Sequence, residues 1–366
     1  MSAGQDWVVS QKRCNIGVIT LNRPQALNAL SLGMIRDITA ALLSWRDDPE
    51  VAAVLIKGAT QEGKGVAFCA GGDIRYFHQA ALAGDPMLDD FFTEEYTLNH
   101  LIHSYPKPTV ALMDGIVMGG GMGIAQGAAI RVVTERSKLA MPETNIGLFP
   151  DVGGGYFLSR CEGHMGEYLA LTGQVASAGD AIALRLADFF VPSGALPALV
   201  ETLCDQPMES GAQVRASVVS HTQTTPAAQW TAQREAIDTH FACVDMAAIF
   251  ASLAGDASDW AVATLATLRK RSPLMMAVTL EQVRRARAMD LADDLRMERD
   301  IVWHCFHLRP GTASETVEGI RALAVDKDHS PKWNPAWVED VKPDDVQAFF
   351  VSPWPSHAHP LRMLTS

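Results

Sequence analysis

The stretch TVALMDGIVMGGGMGIAQGA, residues 109–128, holds the pattern that decides the fold. Its first five residues form a short, mostly apolar run, which is typical of a buried strand. Four of the five residues from 119 to 123 are glycine, and small residues follow them. The stretch therefore predicts a strand, a turn of bare backbone, and then a helix that opens directly from that turn.

The glycine turn has a chemical consequence as well as a structural one. The first N–H groups of a helix have no partner within the helix, so they can bind an anion or an oxygen that becomes one. A second predicted strand ends at Cys69-Ala70-Gly71-Gly72-Asp73 and exposes similar amides. Two amides that converge on one carbonyl oxygen form an oxyanion hole. The same glycines also suit two close-packed turns, and their spacing alone leaves both interpretations open.

The rest of the first half alternates strands with helices, which indicates α/β architecture. A β-hairpin is predicted from Val8 to Thr20, and a helix from the N-cap Ser31 to about Arg46. The other predicted elements are strands at 51–57, 65–69, 109–113, 130–134 and 137–141 and helices at 88–104 and 166–172. The repeating unit is two short strands and one helix, which differs from the simple βαβ unit of a doubly wound sheet.

The composition and the hydrophobic periodicity of the sequence change near residue 205. We therefore predict a core over 1–205 and a mostly helical C-terminal region over 206–366. Residues 206–226 are polar and poorly periodic, as in a linker or a domain junction. The tail beyond residue 330 contains six of the 19 prolines. It is predicted to be irregular and, because it contains three tryptophans, to pack onto the rest of the protein, although its two last histidines are expected to be solvated.

Two carboxylates form the third chemical feature. Glu143 follows Met141-Pro142, and Asp151 lies in the segment GLFPDVGGG. Such a pair in an apolar segment can serve as general acid and base, because burial raises both pKa values and mutual repulsion separates them. Helix and turn capping is the alternative interpretation. Glu95 lies in a helical FFTEE segment, where an acid can be either solvated or functional.

Composition and charge exclude several classes of protein. Thirty basic and 42 acidic residues give a net charge of −12, which disfavours a nucleic-acid partner. The sequence contains no apolar run long enough to predict a membrane span. The six cysteines are scattered, and the first residues lack the apolar core of a secretory signal, so we expect a cytoplasmic protein with reduced thiols. The histidines show no ligand spacing in the core, and we expect no metal.

Several segments together resemble the crotonase superfamily of acyl-CoA enzymes. They are ITLNRPQALNAL (19–30), FCAGGDI (68–74), VALMDGIVMGGGMGIA (110–125), MPETNIGLFPDVGGGYFL (141–158) and LALTG (169–173). The FFTEEY helix (91–96) and the distal VDKDHSPKWNPA (325–336) are similar to the 3-hydroxyisobutyryl-CoA hydrolase branch of that superfamily. The resemblance implies a crotonase-like spiral of ββα units and an acyl-CoA substrate, with CoA as part of that substrate and no separate cofactor. It leaves the oligomeric state open, since the superfamily normally forms trimers and this branch is less uniform.

The resemblance also implies roles for the residues of the core. The amides of Gly72 and Gly120 correspond to the oxyanion hole that holds the thioester oxygen. Glu143 matches the catalytic glutamate, and Asp151 matches the aspartate of the hydrolase branch. Glu95 matches an acid that contacts the substrate near its 3-hydroxyl.

The adenine of CoA is expected, by the same resemblance, to lie against the backbone between Ala70 and Ile74, which includes Asp73. The residues that bind the phosphates of CoA are not identified by the sequence.

One departure from the superfamily pattern separates the possible activities. Hydratases carry a second glutamate three residues after the middle glycine of the triplet, and this chain has Gly123 there. Thioester hydrolysis is therefore favoured over hydration. An isomerase remains an alternative, because it needs one carboxylate and one branch uses an acid near the position of Asp151. A non-catalytic role as an assembly component is the second alternative.

Overall fold

The computed structural model describes residues 6–63 and 65–365. Residues 1–5 form the start of the segment on which the cytoplasmic prediction rests, and they lie outside the described residues. The described strands are β1 Val8–Arg13, β2 Ile16–Leu21, β3 Ala53–Gly58, β4 Ala67–Cys69, β5 Thr109–Met113, β6 Ile116–Met118, β7 Ile130–Val133, β8 Lys138–Ala140 and β9 Phe189–Phe190.

The described α-helices fall into two groups along the chain. Those before residue 205 are α1 Leu32–Arg46, α2 Ile74–Ala83, α3 Met87–His103, α4 Gly120–Gln126, α5 Gly154–Leu158, α6 Met165–Thr172, α7 Ala178–Ala183 and α8 Leu196–Cys204. Those after it are α9 Gly211–Val219, α10 Arg234–Phe241, α11 Met246–Ala254, α12 Asp259–Leu268, α13 Pro273–Ala286, α14 Leu291–His307, α15 Glu315–Ile320 and α16 Pro343–Gln347.

The strands form two sheets. The larger has the order β1-β2-β3-β5-β7-β9, in which only the β1–β2 hairpin is antiparallel. The smaller has the order β4-β6-β8, and β4 and β6 are parallel. The predicted α/β architecture is therefore confirmed, and the structure adds that the larger sheet is mainly parallel.

Local sequence signals account for the first elements. Ser31 Oγ accepts a hydrogen bond from the backbone N–H of Met34 at 3.3 Å, so it caps α1 as predicted. The helix ends at Arg46, and its apolar face, which includes Ile35, Ile38 and Leu42, is fully buried. The predicted hairpin is confirmed in β1 and β2.

The chain folds as two compact units, neither of which is one continuous stretch. The first runs to Gly72 and also contains residues 97–139 and 176–229. The second contains residues 73–96, 140–175 and the chain from 230 onward. The two units differ from the predicted division at residue 205. The first unit continues past that residue to 229, and the second takes 73–96 and 140–175 from the part of the chain before it.

The segment 206–226 is not the linker that its polar composition indicated. Ser210 caps helix α9, and Val214 and Val218 on that helix are completely buried in the core of the first unit. Their spacing of four residues places both on one face, while the polar residues occupy the exposed face. The short helix carries too few apolar residues for its periodicity to stand out.

The second unit contains helices α12, α13 and α14, in agreement with the mostly helical C-terminal region that the sequence predicted. Helices α12 and α13 are separate, because Ser272 caps a new helix that has Pro273 at its first position. The tail packs as expected: Phe349 and Leu361 are buried, and the indole N–H of Trp333 donates to the carbonyl of Lys270 at 3.2 Å. Of the two last histidines, His357 is exposed as expected, whereas His359 is buried, which corrects the expectation for that residue. No helix among the described residues is long and apolar enough to span a bilayer.

Candidate active site

The two glycine turns of the first unit meet each other. Strands β4 and β6 are parallel neighbours, so the turns that follow them lie at the same edge of the small sheet. A Cβ atom added at Gly71 would lie 3.3 Å from the carbonyl oxygen of Met118 and 3.6 Å from the amide nitrogen of Gly120. The turn that contains Gly71 and Gly72 and the turn that contains Gly119 and Gly120 are therefore in contact.

The glycines are required by this contact. Gly71 has a φ of 103° and Gly119 a φ of 50°, both in the region that side chains disfavour. A Cβ atom at Gly121 would lie 2.2 Å from the carbonyl oxygen of Cys69, a distance that no side chain can adopt. Close packing thus explains these three glycines.

Close packing does not use the amides of Gly72 and Gly120. The carbonyl of Gly71 accepts from the amide of Leu30 at 2.8 Å, and the amide of Ala70 donates to the carbonyl of Leu27 at 3.1 Å. Within the described ranges, neither Gly72 nor Gly120 donates its amide to another backbone carbonyl. Both amides are thus available to a ligand oxygen, as the oxyanion interpretation requires.

Glu143 lies in the second unit, at the first position of a short 3-10 turn, Glu143–Ile146. Pro142 precedes this turn, and Gly147, with a φ of 65°, ends it. The Glu143 side chain is buried, and its Oε2 atom has no hydrogen-bond partner within the described part of the chain. Burial raises the pKa of the Glu143 carboxyl well above its usual range, and the charges of Asp151 and Glu95 raise it further.

Asp151 is buried beside Tyr96. The Tyr96 hydroxyl donates a hydrogen bond to Asp151 Oδ2 at 2.8 Å. Burial raises the pKa of Asp151 to about 6, although this hydrogen bond favours the ionised form. A carboxyl with a pKa near neutrality suits general acid–base chemistry.

Glu95 precedes Tyr96 on helix α3 and is also buried. Burial and the charge of Asp151 raise the pKa of the Glu95 carboxyl well above its usual range. Its Oε1 atom has no hydrogen-bond partner within the portion of the chain that is described. The second unit therefore brings together the three acids that the sequence singled out, Glu95, Glu143 and Asp151, and the solvated interpretation of Glu95 is wrong.

The residues expected near adenine are divided between the units. Ala70 directly follows β4 in the first unit and is half-buried. Asp73 precedes helix α2, and Ile74 begins that helix; both belong to the second unit and are half-buried.

The buried residues that the sequence interpretation missed in the second unit include four whose side chains bond to Asp151 or to the backbone around it. They are Tyr96, Gln282, Asp294 and Glu298. A signal for two of them exists, because Asp294 and Glu298 lie four residues apart on a face of α14 that also presents Ile301 and Cys305. Two acids on an apolar helix face are costly unless they have partners, so this pattern marks them as functional or structural anchors.

The partners of these two acids are backbone amides next to Asp151. Glu298 accepts from Gly153 and Gly155, and Asp294 Oδ2 accepts from the amide of Tyr156 at 2.8 Å. A Cβ atom at Gly155 would lie 2.4 Å from Asp294 Oδ1, which explains the third glycine of the DVGGG segment.

Solved structures identify the fold. The protein is similar to a carnitinyl-CoA dehydratase from Mycobacterium thermoresistibile, with a TM-score of 0.88 and 38% identity over 96% of this chain and 98% of that one. It is also similar to an enoyl-CoA hydratase from Rhodobacter sphaeroides 2.4.1, with a TM-score of 0.85 and 37% identity over 95% of this chain and 98% of that one. The predicted crotonase-like fold is thereby confirmed.

The sequence comparisons then identify the family. The model of the family described as enoyl-CoA hydratase/isomerase matches residues 16–350. The chain therefore belongs to the enoyl-CoA hydratase/isomerase family, as its resemblance to the crotonase superfamily predicted.

Named relatives within this family are hydrolases. The chain is 42% identical over 341 residues to the mitochondrial 3-hydroxyisobutyryl-CoA hydrolase of Xenopus tropicalis, covering 92% of this chain and 86% of the relative. It is 41% identical over 350 residues to the mitochondrial 3-hydroxyisobutyryl-CoA hydrolase of Rattus norvegicus, covering 94% of this chain and 89% of the relative.

Proposed function

We propose that the protein hydrolyses the thioester of a short 3-hydroxyacyl-CoA, 3-hydroxyisobutyryl-CoA above all. The observation that carries this proposal is the Glu143 carboxyl, which is buried and has no hydrogen-bond partner at Oε2 within the described residues. Its pKa is raised first by that burial and then by the charges of Asp151 and Glu95. The names of the hydrolase relatives support the choice of substrate.

The proposed reaction adds water across the thioester carbonyl. The amides of Gly72 and Gly120 donate to the thioester oxygen and stabilise the tetrahedral oxyanion. Glu143, when ionised, removes a proton from the attacking water. The oxyanion then collapses, the C–S bond breaks, and CoA leaves as a thiolate. A thiolate is a good leaving group because the pKa of a thiol is about 8.5.

A second route uses the same residue as a nucleophile. Glu143 would attack the thioester directly and form a mixed anhydride, which water then hydrolyses. The two routes differ in the source of the new oxygen. In a single turnover in H2¹⁸O, the first route leaves the Glu143 carboxyl unlabelled, and the second exchanges one of its oxygens when water attacks the Glu143 side of the anhydride.

Asp151 and Glu95 recognise the 3-hydroxyl group in this proposal. Both are buried acids whose charges interact, and an alcohol can donate a hydrogen bond to whichever of them is ionised. Asp151 can also pass a proton in the reaction, because its pKa of about 6 allows both protonation states near neutral pH.

The activity is tested with a panel of 3-hydroxyacyl and unsubstituted acyl-CoA thioesters and a reagent that traps free thiol. We expect thiol release, with the highest kcat/KM for 3-hydroxyisobutyryl-CoA. We expect Glu143→Gln to abolish turnover while acyl-CoA still binds, and Glu339→Gln, at an exposed acid, to behave as wild type. Retention of more than a tenth of kcat in Glu143→Gln would remove this residue from the chemistry.

An enoyl-CoA hydratase or isomerase activity is the second candidate. The names of the two similar solved structures favour it, whereas Gly123 replaces the second glutamate that hydratases use. This activity would change the absorbance of an enoyl thioester without releasing thiol, so the same panel separates the two.

The physiological setting follows from the substrate. Hydrolysis of 3-hydroxyisobutyryl-CoA gives 3-hydroxyisobutyrate and CoA, and we propose that the protein serves valine breakdown in this way. The reaction requires only water and the thioester. We propose a cytoplasmic location from the sequence, although the named relatives are mitochondrial proteins. Fractionation of cells that express the full chain tests the location.

A further inference from the structure

The turn that carries Asp151 is conformationally strained. The amide of Gly154 donates to the carbonyl of Asp151 at 2.8 Å, and the two residues between them, Val152 and Gly153, have φ values of 57° and 87°. Two central residues with positive φ are typical of a type I′ turn. Glycine adopts this conformation freely, but a β-branched valine does not, so neighbouring contacts must hold Val152 in place.

Two buried side chains supply these contacts. Glu298 on α14 accepts hydrogen bonds from the amides of Gly153 at 2.7 Å and Gly155 at 2.9 Å. Gln282 on α13 donates its side-chain N–H groups to the carbonyl of Pro150 at 2.6 Å and to Glu298 Oε1 at 3.0 Å. We call Gln282 and Glu298 the turn clamp. Both are completely buried.

We propose that the turn clamp positions Asp151 for catalysis; this inference rests on the proposed function, in which Asp151 contacts the substrate. The clamp binds the backbone on both sides of Asp151, at Pro150 and at Gly153. Tyr96 binds the far end of the same side chain. The clamp therefore limits where the Asp151 carboxylate can point, without reaching the reacting atoms itself.

A displaced turn has a distinct electrostatic consequence. The titratable groups whose charges interact with Asp151 are Glu95 and Tyr96 on α3, Glu143 on its 3-10 turn, and Glu298 and Cys305 on α14. Burial is the largest cause of the raised pKa of Asp151. If the turn relaxes, Asp151 becomes less buried and its pKa falls toward the ordinary value.

The test uses two clamp variants and one matched control. Glu298→Gln replaces one acceptor oxygen by a donor that faces a backbone N–H group. Gln282→Leu removes the amide and keeps the approximate volume. Asp293→Asn changes the same charge on the same helix, but at an exposed side chain that pairs with Arg296. For each variant, kcat, KM, the pH profile of kcat/KM for 3-hydroxyisobutyryl-CoA and the Tm are measured.

We expect both clamp variants to lower kcat by about 10- to 100-fold, the size of effect that small misplacements of active-site groups produce. KM rises as well, because Asp151 contacts the substrate hydroxyl in the proposed function, and the acid limb of the pH profile moves to lower pH. Asp293→Asn keeps the wild-type kcat and pH profile.

Each result bears on the inference. Clamp variants that have a lower Tm but the wild-type kcat and acid limb would show that the clamp only stabilises the fold. That result would overturn the positioning role. If Glu298→Gln fails to fold, Gln282→Leu decides by the same criteria. A wild-type protein that releases no thiol would refute the proposed function and this role with it, whereas an active wild type with unaffected clamp variants refutes the role alone.

Discussion

The Tyr96 hydroxyl donates a 2.8 Å hydrogen bond to Oδ2 of Asp151, and both side chains are buried. Asp151 therefore experiences two opposing effects, because burial favours its protonated form and the hydrogen bond favours its ionised form. The balance gives a pKa of about 6, which places the titration of this carboxyl just below neutral pH.

The first prediction concerns the pH dependence of the wild-type enzyme. In the proposed mechanism, Glu143 acts in its ionised form, and Asp151 binds the substrate hydroxyl best when ionised. Protonation therefore removes activity, so we expect kcat/KM to fall as the pH drops through about 6. A thiol-release assay between pH 4.5 and pH 8 checks this, and a flat profile over that range would contradict it.

The second prediction concerns Tyr96→Phe. Loss of the hydroxyl removes a hydrogen bond that lowers the pKa of Asp151, so the pKa rises. Since a hydrogen bond to a charged group contributes about 1.5–3 kcal/mol, we expect the acid limb to move up by about one to two pH units. Tyr76→Phe, at a tyrosine on α2, is the control. An acid limb that stays in place would show that Tyr96 does not set the titration.

The third prediction concerns stability, and its sign is opposite to that of activity. The pKa of Asp151 is raised in the folded protein, so between about pH 4 and pH 6 the folded state binds more protons than the unfolded state. Ionisation of Asp151 then lowers the free energy of unfolding as the pH rises through this window. Asp151→Asn removes that cost, and we expect it to stabilise the protein above pH 6 by up to about 3 kcal/mol while it loses activity.

Urea unfolding of Asp151→Asn and wild type at pH 4 and pH 7.5 measures the difference. The stabilisation should be largest at pH 7.5 and small at pH 4, where Asp151 is protonated in the folded protein and about half ionised in the unfolded chain. A variant that is less stable than wild type at pH 7.5 would contradict the prediction.

The fourth prediction concerns the close contact of the glycine turns. Gly121→Ala places a Cβ atom 2.2 Å from the carbonyl oxygen of Cys69, so the backbone must move. We expect a loss of about 1–3 kcal/mol in the free energy of unfolding. Gly33→Ala is the matched control, because this exposed helical site has no close neighbour and alanine favours helix there by about 0.5–1 kcal/mol. Equal Tm values for the two variants would contradict the packing argument.

The sequence predicts the parts of this molecule that depend on local physics. Ser31 caps its helix because the cap and the apolar spacing lie within one segment. The two glycine turns were found because bare backbone marks each of them, whereas strand β6, whose pairing with β4 brings the turns together, was not predicted. The three acids were found because each lies in a distinctive segment.

Long-range partners escaped the sequence interpretation. Glu298 lies 145 residues from the amide of Gly153 that it binds, and nothing near either residue indicates the pairing. The role of Tyr96 was missed because an aromatic residue on a helix is usually core, and its hydrogen bond depends on where Asp151 lies. Helix α9 was missed because two buried valines are too few to show a period.

The Glu298 contacts also limit how far the protein could be shortened. The segments of the common core end before residue 200, yet the acceptors for the amides of Gly153, Gly155 and Tyr156 come from residues 294 and 298. A fragment that stops before helix α14 would leave these three N–H groups without acceptors beside Asp151. The helices at the carboxyl end are therefore an integral part of the structure around Asp151 rather than an appendage.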